Sequence, residues 1–180
     1  MVYVHLAEGF EEIEAVTIVD VLRRGGIEAA SVSVTGSKTI RGAHGISVCA
    51  DKLFAEADYI ECEMIVLPGG MPGTKNLLAH DGLTSKITSF AYDKKYLAAI
   101  CAAPMVLGEL GVLEGKNATI YPGMEKKLAG AKVSTDKVVM DGNIITSRGP
   151  GTAIEFALAI VDTLKGKDEA AKLRKALVTD

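Results

Sequence analysis

Two short runs, "MIVL" (64–67) and "YLAAI" (96–100), are almost entirely apolar, and each stops abruptly. A strand with one wet face alternates apolar and polar residues, whereas continuous runs of this length suit a parallel strand covered on both faces. "VYVHL" (2–6) and "AASVSV" (29–34) read as further strands. Helix-like stretches separate them: 12–24, which ends at Gly25-Gly26; a region reaching about Tyr92; and a short one after Cys101 that ends near Gly111. Strand candidates follow at 118–122, 137–142 and 143–147, with "DGN" as a hairpin turn, and then helices at 149–164 and 168–177. Residues 36–62 mix glycine, charge and short β-rich runs, which predicts a small hairpin excursion. Repeated strand–helix alternation defines an α/β layered fold with a mainly parallel central sheet. With 180 residues, 48% of them hydrophobic, one domain over 1–180 can bury a sizeable core.

Composition excludes several functions. A net charge of -3 and the lack of a basic cluster give no nucleic-acid groove. No apolar stretch approaches a membrane span. Residues 1–7 lack the charged start of a leader, and the three cysteines form no regular framework, so a reducing, cytoplasmic setting is expected. The loop after the first strand carries Glu8, Glu11, Glu12 and Glu14, which would repel phosphate, and no phosphate-binding glycine motif occurs. Flavin and dinucleotide cofactors are therefore not expected. The histidines His5, His44 and His80 show no ligand-like spacing, so no metal site is expected either.

In an open parallel sheet, ligands gather at the carboxyl ends of the strands. Four such ends lead into "AEGFEEIEA" (7–15), "PGGMPG" (68–73), Cys101 and "RGPG" (148–151). Cys101 sits in "AAICAAP", a strand-to-helix turn flanked by small residues. Two readings fit it: a packed core thiol, or a nucleophile at an elbow. At an elbow, a helix N-terminus would favour thiolate, and the amides of Ala102 and of Gly69 or Gly70 could hold an oxyanion. Glu14 is either a solvated helix charge or a buried partner of the thiol. Glu8, Glu11 and Glu12 read as capping or solvated charges, His5 as a core histidine and His80 as a helix-end residue. Arg148 would orient a substrate carboxylate or oxidised sulfur, or else form a structural salt bridge.

The segments "AEGFEEIEAVTIVDVLRRGGI", "VLPGGMPG", "AAICAAP" and "TSRGPGTAIEFALAIVD" resemble the ThiJ/PfpI superfamily, in its parkinsonism-associated deglycase (DJ-one) branch. The resemblance covers nearly the whole chain. It implies a flavodoxin-like three-layer sandwich and a homodimer. It further implies that Cys101 is a readily oxidised nucleophile, that Glu14 hydrogen-bonds it, and that Gly70 and Ala102 are the oxyanion donors. The implied activity is a cofactor-free glyoxalase or deglycase, a hydrolase or lyase acting on small dicarbonyls such as methylglyoxal or their adducts. The alternative is a non-catalytic oxidative-stress sensor or chaperone that works by oxidation of Cys101. Ala102 replaces the histidine of the protease-like branch, which argues against proteolysis. Tyr121, in "TIYPG", stands where the closest branch often has a histidine; it can donate a hydrogen bond but is a poor base at neutral pH. His44 aligns with a family arginine near the pocket mouth. The expected resting state is a Cys101 thiolate, its pKa below the ordinary value of about 8.5, beside a protonated Glu14.

Overall fold

The computed structural model describes residues 1–179. The chain runs β1 (Val2–Leu6), α1 (Glu12–Arg24), β2 (Ala29–Ser33), the hairpin strands β3 (Thr39–Arg41) and β4 (Ser47–Cys49), and β5 (Lys52–Leu53). There follow β6 (Met64–Leu67), α2 (Gly73–Leu78), α3 (Asp81–Tyr92), β7 (Tyr96–Ile100) and α4 (Pro104–Glu109). The rest is β8 (Asn117–Ala118), β9 (Lys132–Val133), β10 (Val138–Asp141), β11 (Ile144–Ser147), α5 (Ala153–Lys165) and α6 (Lys167–Ala176).

Seven strands form one sheet in the order β10-β11-β7-β6-β1-β2-β5. All neighbours are parallel except β10 with β11. The apolar runs seen in the sequence occupy its middle: Met64 pairs with Val2 on one side and Tyr96 on the other, and β6 is buried throughout. One face packs against α1, α5 and α6 through Ile18, Leu22, Phe156 and Val161, and the other against α2, α3 and α4 through Leu77, Leu83, Ile87 and Leu107. The layered α/β fold with a mainly parallel sheet, expected from the alternation, is what forms, as the three-layer sandwich that the resemblance implies. Strand order reverses direction between β1 and β6, which marks the carboxyl ends of these strands as the edge where ligands gather in such sheets. No helix among the described residues is long and apolar enough to cross a membrane.

The excursion over 36–62 does contain a hairpin, β3–β4, paired Thr39 with Cys49 through Arg41 with Ser47. The same segment also returns to the sheet, where β5 adds a short parallel edge strand that the sequence reading did not anticipate. The predicted strand over 118–122 is corrected. Only Asn117–Ala118 is a strand, in a separate two-stranded sheet with β9. The following backbone is diverted: the Thr119 N–H donates to Thr146 Oγ1 (2.9 Å) and the Tyr121 N–H to the Cys101 carbonyl (2.9 Å). This carries Tyr121 over the end of β7.

Candidate active site

Three loops converge at the carboxyl edge of β1, β6 and β7. The loop after β1 reaches the loop after β6 directly, since the Glu11 N–H donates to the Gly69 carbonyl (2.9 Å). Gly70 lies at φ 88°, and a Cβ there would collide with the Glu11 amide, so glycine is needed twice over, for conformation and for space. At Gly69 a Cβ would lie 2.6 Å from Cys101 Cβ and 3.0 Å from both Cys101 Sγ and the Ala102 nitrogen. The glycine pair thus lets the backbone close onto the cysteine.

Cys101 itself has φ 61°, in the left-handed region that a residue with a Cβ seldom adopts. The turn is held by its own N–H on the Ser147 carbonyl (3.0 Å) and by the Tyr121 N–H on its carbonyl. This is the elbow expected from "AAICAAP", and it leaves the residue 9% exposed. The N–H groups of Gly70 and Ala102 lie near enough to the sulfur to favour its charged form. Neither donates to another backbone or side-chain acceptor among the described residues, so both are unspent.

Glu14 projects from α1 into the same place and is wholly buried. Its Oε2 accepts the Gly69 N–H at 2.7 Å, and Oε1 is buried without a well-aligned partner. The thiol lies close enough to the carboxyl for each to perturb the other's ionisation. Burial pushes Glu14 up to about 7 against the Gly69 hydrogen bond and the neighbouring thiol, and the charge of Glu11 adds to the rise. Burial likewise pushes Cys101 up to about 12, reinforced by the charge of Glu14 and opposed by the Gly70 and Ala102 N–H groups.

The expectation of a simply depressed thiol pKa is therefore corrected. Helix α4 has only six residues and begins at Pro104, three positions beyond the sulfur, so its field is weak beside the desolvation. What the geometry enforces is a limit. Two acids in contact in a buried site resist carrying two negative charges, so the pair loses one proton near neutrality and holds the other far above it.

A cavity of about 490 Å³ opens over the thiol, lined in part by Cys101, Ala102, Gly70, Tyr121, His44 and Glu11. Tyr121 is 46% exposed on its wall. Of the residues singled out from the sequence, Cys101, Glu14, Gly69, Gly70, Ala102, Tyr121 and His44 are brought together. Arg148 is not: its Nη1 donates to the Thr135 carbonyl (2.9 Å), outside the cavity wall.

The reading of Glu11 and Glu12 as capping or solvated charges is also corrected, because they are only 7% and 6% exposed. The turn of the β3–β4 hairpin covers them: the Ala43 N–H donates to the Phe10 carbonyl (2.8 Å) and the His44 N–H to Glu12 Oε1 (2.7 Å). A Cβ at Gly42 would strike the Glu12 carboxyl. Burial opposes the Glu12 charge, but hydrogen bonds from the His44 ring and from the His44 and Ile46 N–H groups hold its pKa below the usual range. The exposed His44 ring is raised by its hydrogen bond to Glu12 and then by the charge of Glu11. Glu8 alone of these acids is exposed, accepting the Arg41 N–H (3.2 Å).

His80 caps α3 through Nδ1, which accepts the Leu83 N–H (3.0 Å), as a helix-end residue should. His5 is in the core, its Nε2 2.7 Å from Tyr59 Oη, while its Nδ1 lacks a partner. Burial pushes it down to about 3, so it is neutral.

A doubly wound α/β protein with a cysteine elbow at the strand ends, a carboxylic acid against the thiol and two free amides facing the sulfur is the class that fold and site define together. The chain belongs to the DJ-1/PfpI family, whose pattern matches residues 1–163. It is 40% identical over 179 residues to Protein DJ-1 homolog B of Arabidopsis thaliana, covering 98% of this chain and 41% of that one. The chain therefore spans less than half the length of that relative. It is 35% identical over 173 residues to the glutathione-independent glyoxalase DJR-1.2 of Caenorhabditis elegans, covering 94% of this chain and 91% of the relative. The solved structure of oxidized Toxoplasma gondii DJ-1 superposes with a TM-score of 0.94 at 37% identity, covering 98% of this chain and 97% of that one.

Proposed function

We propose that this chain is a cofactor-free enzyme that converts small dicarbonyls such as methylglyoxal, or releases their adducts, using Cys101 as nucleophile and Glu14 as proton carrier. The observation that carries this reading is the buried thiol–carboxyl pair under two unspent amides. The name of the C. elegans relative, a glutathione-independent glyoxalase, supports it. In the reactive form Glu14 holds the proton and Cys101 is thiolate. The sulfur adds to the aldehyde carbon, and the new oxyanion is received by the Gly70 and Ala102 N–H groups before taking the Glu14 proton. The resulting carboxylate removes the hydrogen on C1 of the hemithioacetal, and the electron pair moves onto the C2 oxygen to form an enediolate. Return of that proton to C2, with passage of the C1 hydroxyl proton to the C2 oxygen, leaves a lactoyl thioester. The carbon skeleton is its own oxidant and reductant: C1 is oxidised as C2 is reduced. Water then cleaves the thioester, releasing lactate and restoring the thiol pair. Tyr121 would hydrogen-bond the substrate rather than act as a base.

A second reading, an oxidative-stress sensor or chaperone, is favoured by one observation. Tyr121 occupies the cavity wall where a basic imidazole would assist turnover, and the one histidine in that wall, His44, is engaged with Glu12. In that reading peroxide oxidises Cys101, and the same two amides hold the sulfinate. A two-fold dimer is part of either reading, since Ile13 and Val16 stand exposed on α1. The deciding experiment follows methylglyoxal consumption and lactate formation without glutathione. Lactate from the wild type and none from Cys101→Ser supports the enzyme; no lactate above buffer from either protein supports the sensor.

A further inference from the structure

On the rim of the Cys101 cavity, three metal-ligating side chains converge. Ligand atoms of Glu11, Glu12 and His44 lie within 4.8 Å of one another. His44 Nδ1 is 2.9 Å from Glu12 Oε2 and 3.5 Å from Glu11 Oε2. Both glutamate side chains are more than nine-tenths buried. Glu12 is served by backbone donors, the His44 N–H at 2.7 Å and the Ile46 N–H at 3.3 Å, both on Oε1. Glu11 has no such support: among the described residues its carboxylate accepts no hydrogen bond, and His44 is the one cation within ion-pair distance. The Glu11 carboxylate opens to solvent only through the cavity, and a second positive charge beside this acidic pair is favourable.

We propose that Glu11 Oε2, Glu12 Oε2 and His44 Nδ1 form a binding site for a divalent cation of the zinc class. One imidazole and two carboxylates suit such an ion, whereas calcium or magnesium would demand six or more oxygens in place. Tetrahedral zinc with ligands at ~2.0–2.2 Å spaces them roughly 3.4 Å apart. The observed 2.9 and 3.5 Å bracket that spacing. The cation would sit between the imidazole nitrogen and the two carboxylates, its two positive charges balancing their two negative ones. The two N–H groups on Glu12 Oε1 then steady a ligating carboxylate through its other oxygen. Glu11 and His44 both line the cavity that holds Cys101, which puts the fourth coordination position on that side. The site stands apart from the thiol chemistry proposed above, and the test separates the two.

The full chain, stripped of metal with a chelator, is titrated with Zn²⁺ against a chromophoric competitor and with Co²⁺ followed by absorption. The expected result is one equivalent per chain, with cobalt d–d bands but no sulfur-to-cobalt charge-transfer band, and the same in Cys101→Ser. His44→Arg keeps a cation opposite Glu12 but removes the nitrogen ligand, and Glu11→Gln removes an oxygen ligand without touching the bonds to Glu12. Each should weaken zinc binding by about tenfold or more, since even outer supporting groups are worth that much. Unchanged affinity in both variants would overturn the proposal. So would a cobalt–sulfur band, which would place the ion on a cysteine, or no zinc uptake by the wild type.

Discussion

Replacing Glu14 by glutamine should reshape the pH dependence of stability. Glu14 is wholly buried, and its pKa is raised from 4.5 to about 7, chiefly by desolvation. Between those values the native protein keeps a proton that the unfolded chain has already released. The native state thus binds more protons, and the free energy of unfolding falls as pH rises through this window. At about 1.36 kcal/mol per tenfold change, the loss attributable to this one group is on the order of 3 kcal/mol, complete above about pH 8. Glutamine can still accept the Gly69 N–H but has no charge to desolvate. The assay is urea denaturation of both proteins at intervals from pH 4.5 to 8. Taking the difference between them cancels groups that titrate in both, such as His5, whose lowered pKa contributes with opposite sign. The stability of Glu14→Gln relative to wild type should climb by about 3 kcal/mol across the window, and should climb equally in a Cys101→Ser background. A difference flat to within about 0.5 kcal/mol would show that Glu14 ionises normally and that its burial is not felt.

The same substitution should abolish lactate formation from methylglyoxal, because an amide cannot carry the proton between C1 and C2; full turnover would exclude the shuttle. Gly69→Ala would drive a methyl group against Cys101 Cβ and the Ala102 nitrogen; it should destabilise the fold by about 1–3 kcal/mol in denaturant titrations and slow alkylation of Cys101. Tyr121→Phe should change turnover by less than the ~100-fold expected for loss of a general base, which a kcat comparison reads directly. Mild peroxide followed by peptide mass spectrometry should place sulfenic or sulfinic acid first on Cys101, which opens onto the cavity with Glu14 to take its proton, before the exposed Cys49 and well before Cys62, which is 1% exposed. Light scattering at micromolar concentration should give a dimer mass, and Val16→Asp on the exposed face of α1 should lower it; a monomeric wild type would refute the two-fold contact.

The sheet and the elbow were legible because local pattern and tertiary role agree there. "MIVL" and "YLAAI" are buried on both faces because helices cover both, and Pro68-Gly69-Gly70 and Ala102-Ala103 mark the breaks where the chain must turn under Cys101. Where tertiary contacts decide, the sequence was a poorer guide. "ATIYP" has strand composition, but its N–H groups are claimed by Thr146 and Cys101, so it becomes a strap over the site. Glu11 and Glu12 look solvated in "GFEEIEA" because the hairpin that buries them lies some thirty residues away. For the same reason no local spacing announces that His44 meets those two acids. A helix start is visible in sequence, whereas the desolvation that raises the thiol's pKa is set by the surrounding fold.

At the centre of this account is a single proton held between Cys101 and Glu14. It is tested most directly by the rate at which iodoacetamide alkylates Cys101 as a function of pH, read by mass spectrometry of the Cys101 peptide. If the pair gives up its first proton near neutrality and resists the second, the rate should rise to an inflection near pH 7 and then level off. In Glu14→Gln that inflection should vanish. A wild-type rate climbing about tenfold per pH unit without a break from pH 6 to 10 would mean that Cys101 titrates as an isolated buried thiol, and the proposed chemistry would fail with it.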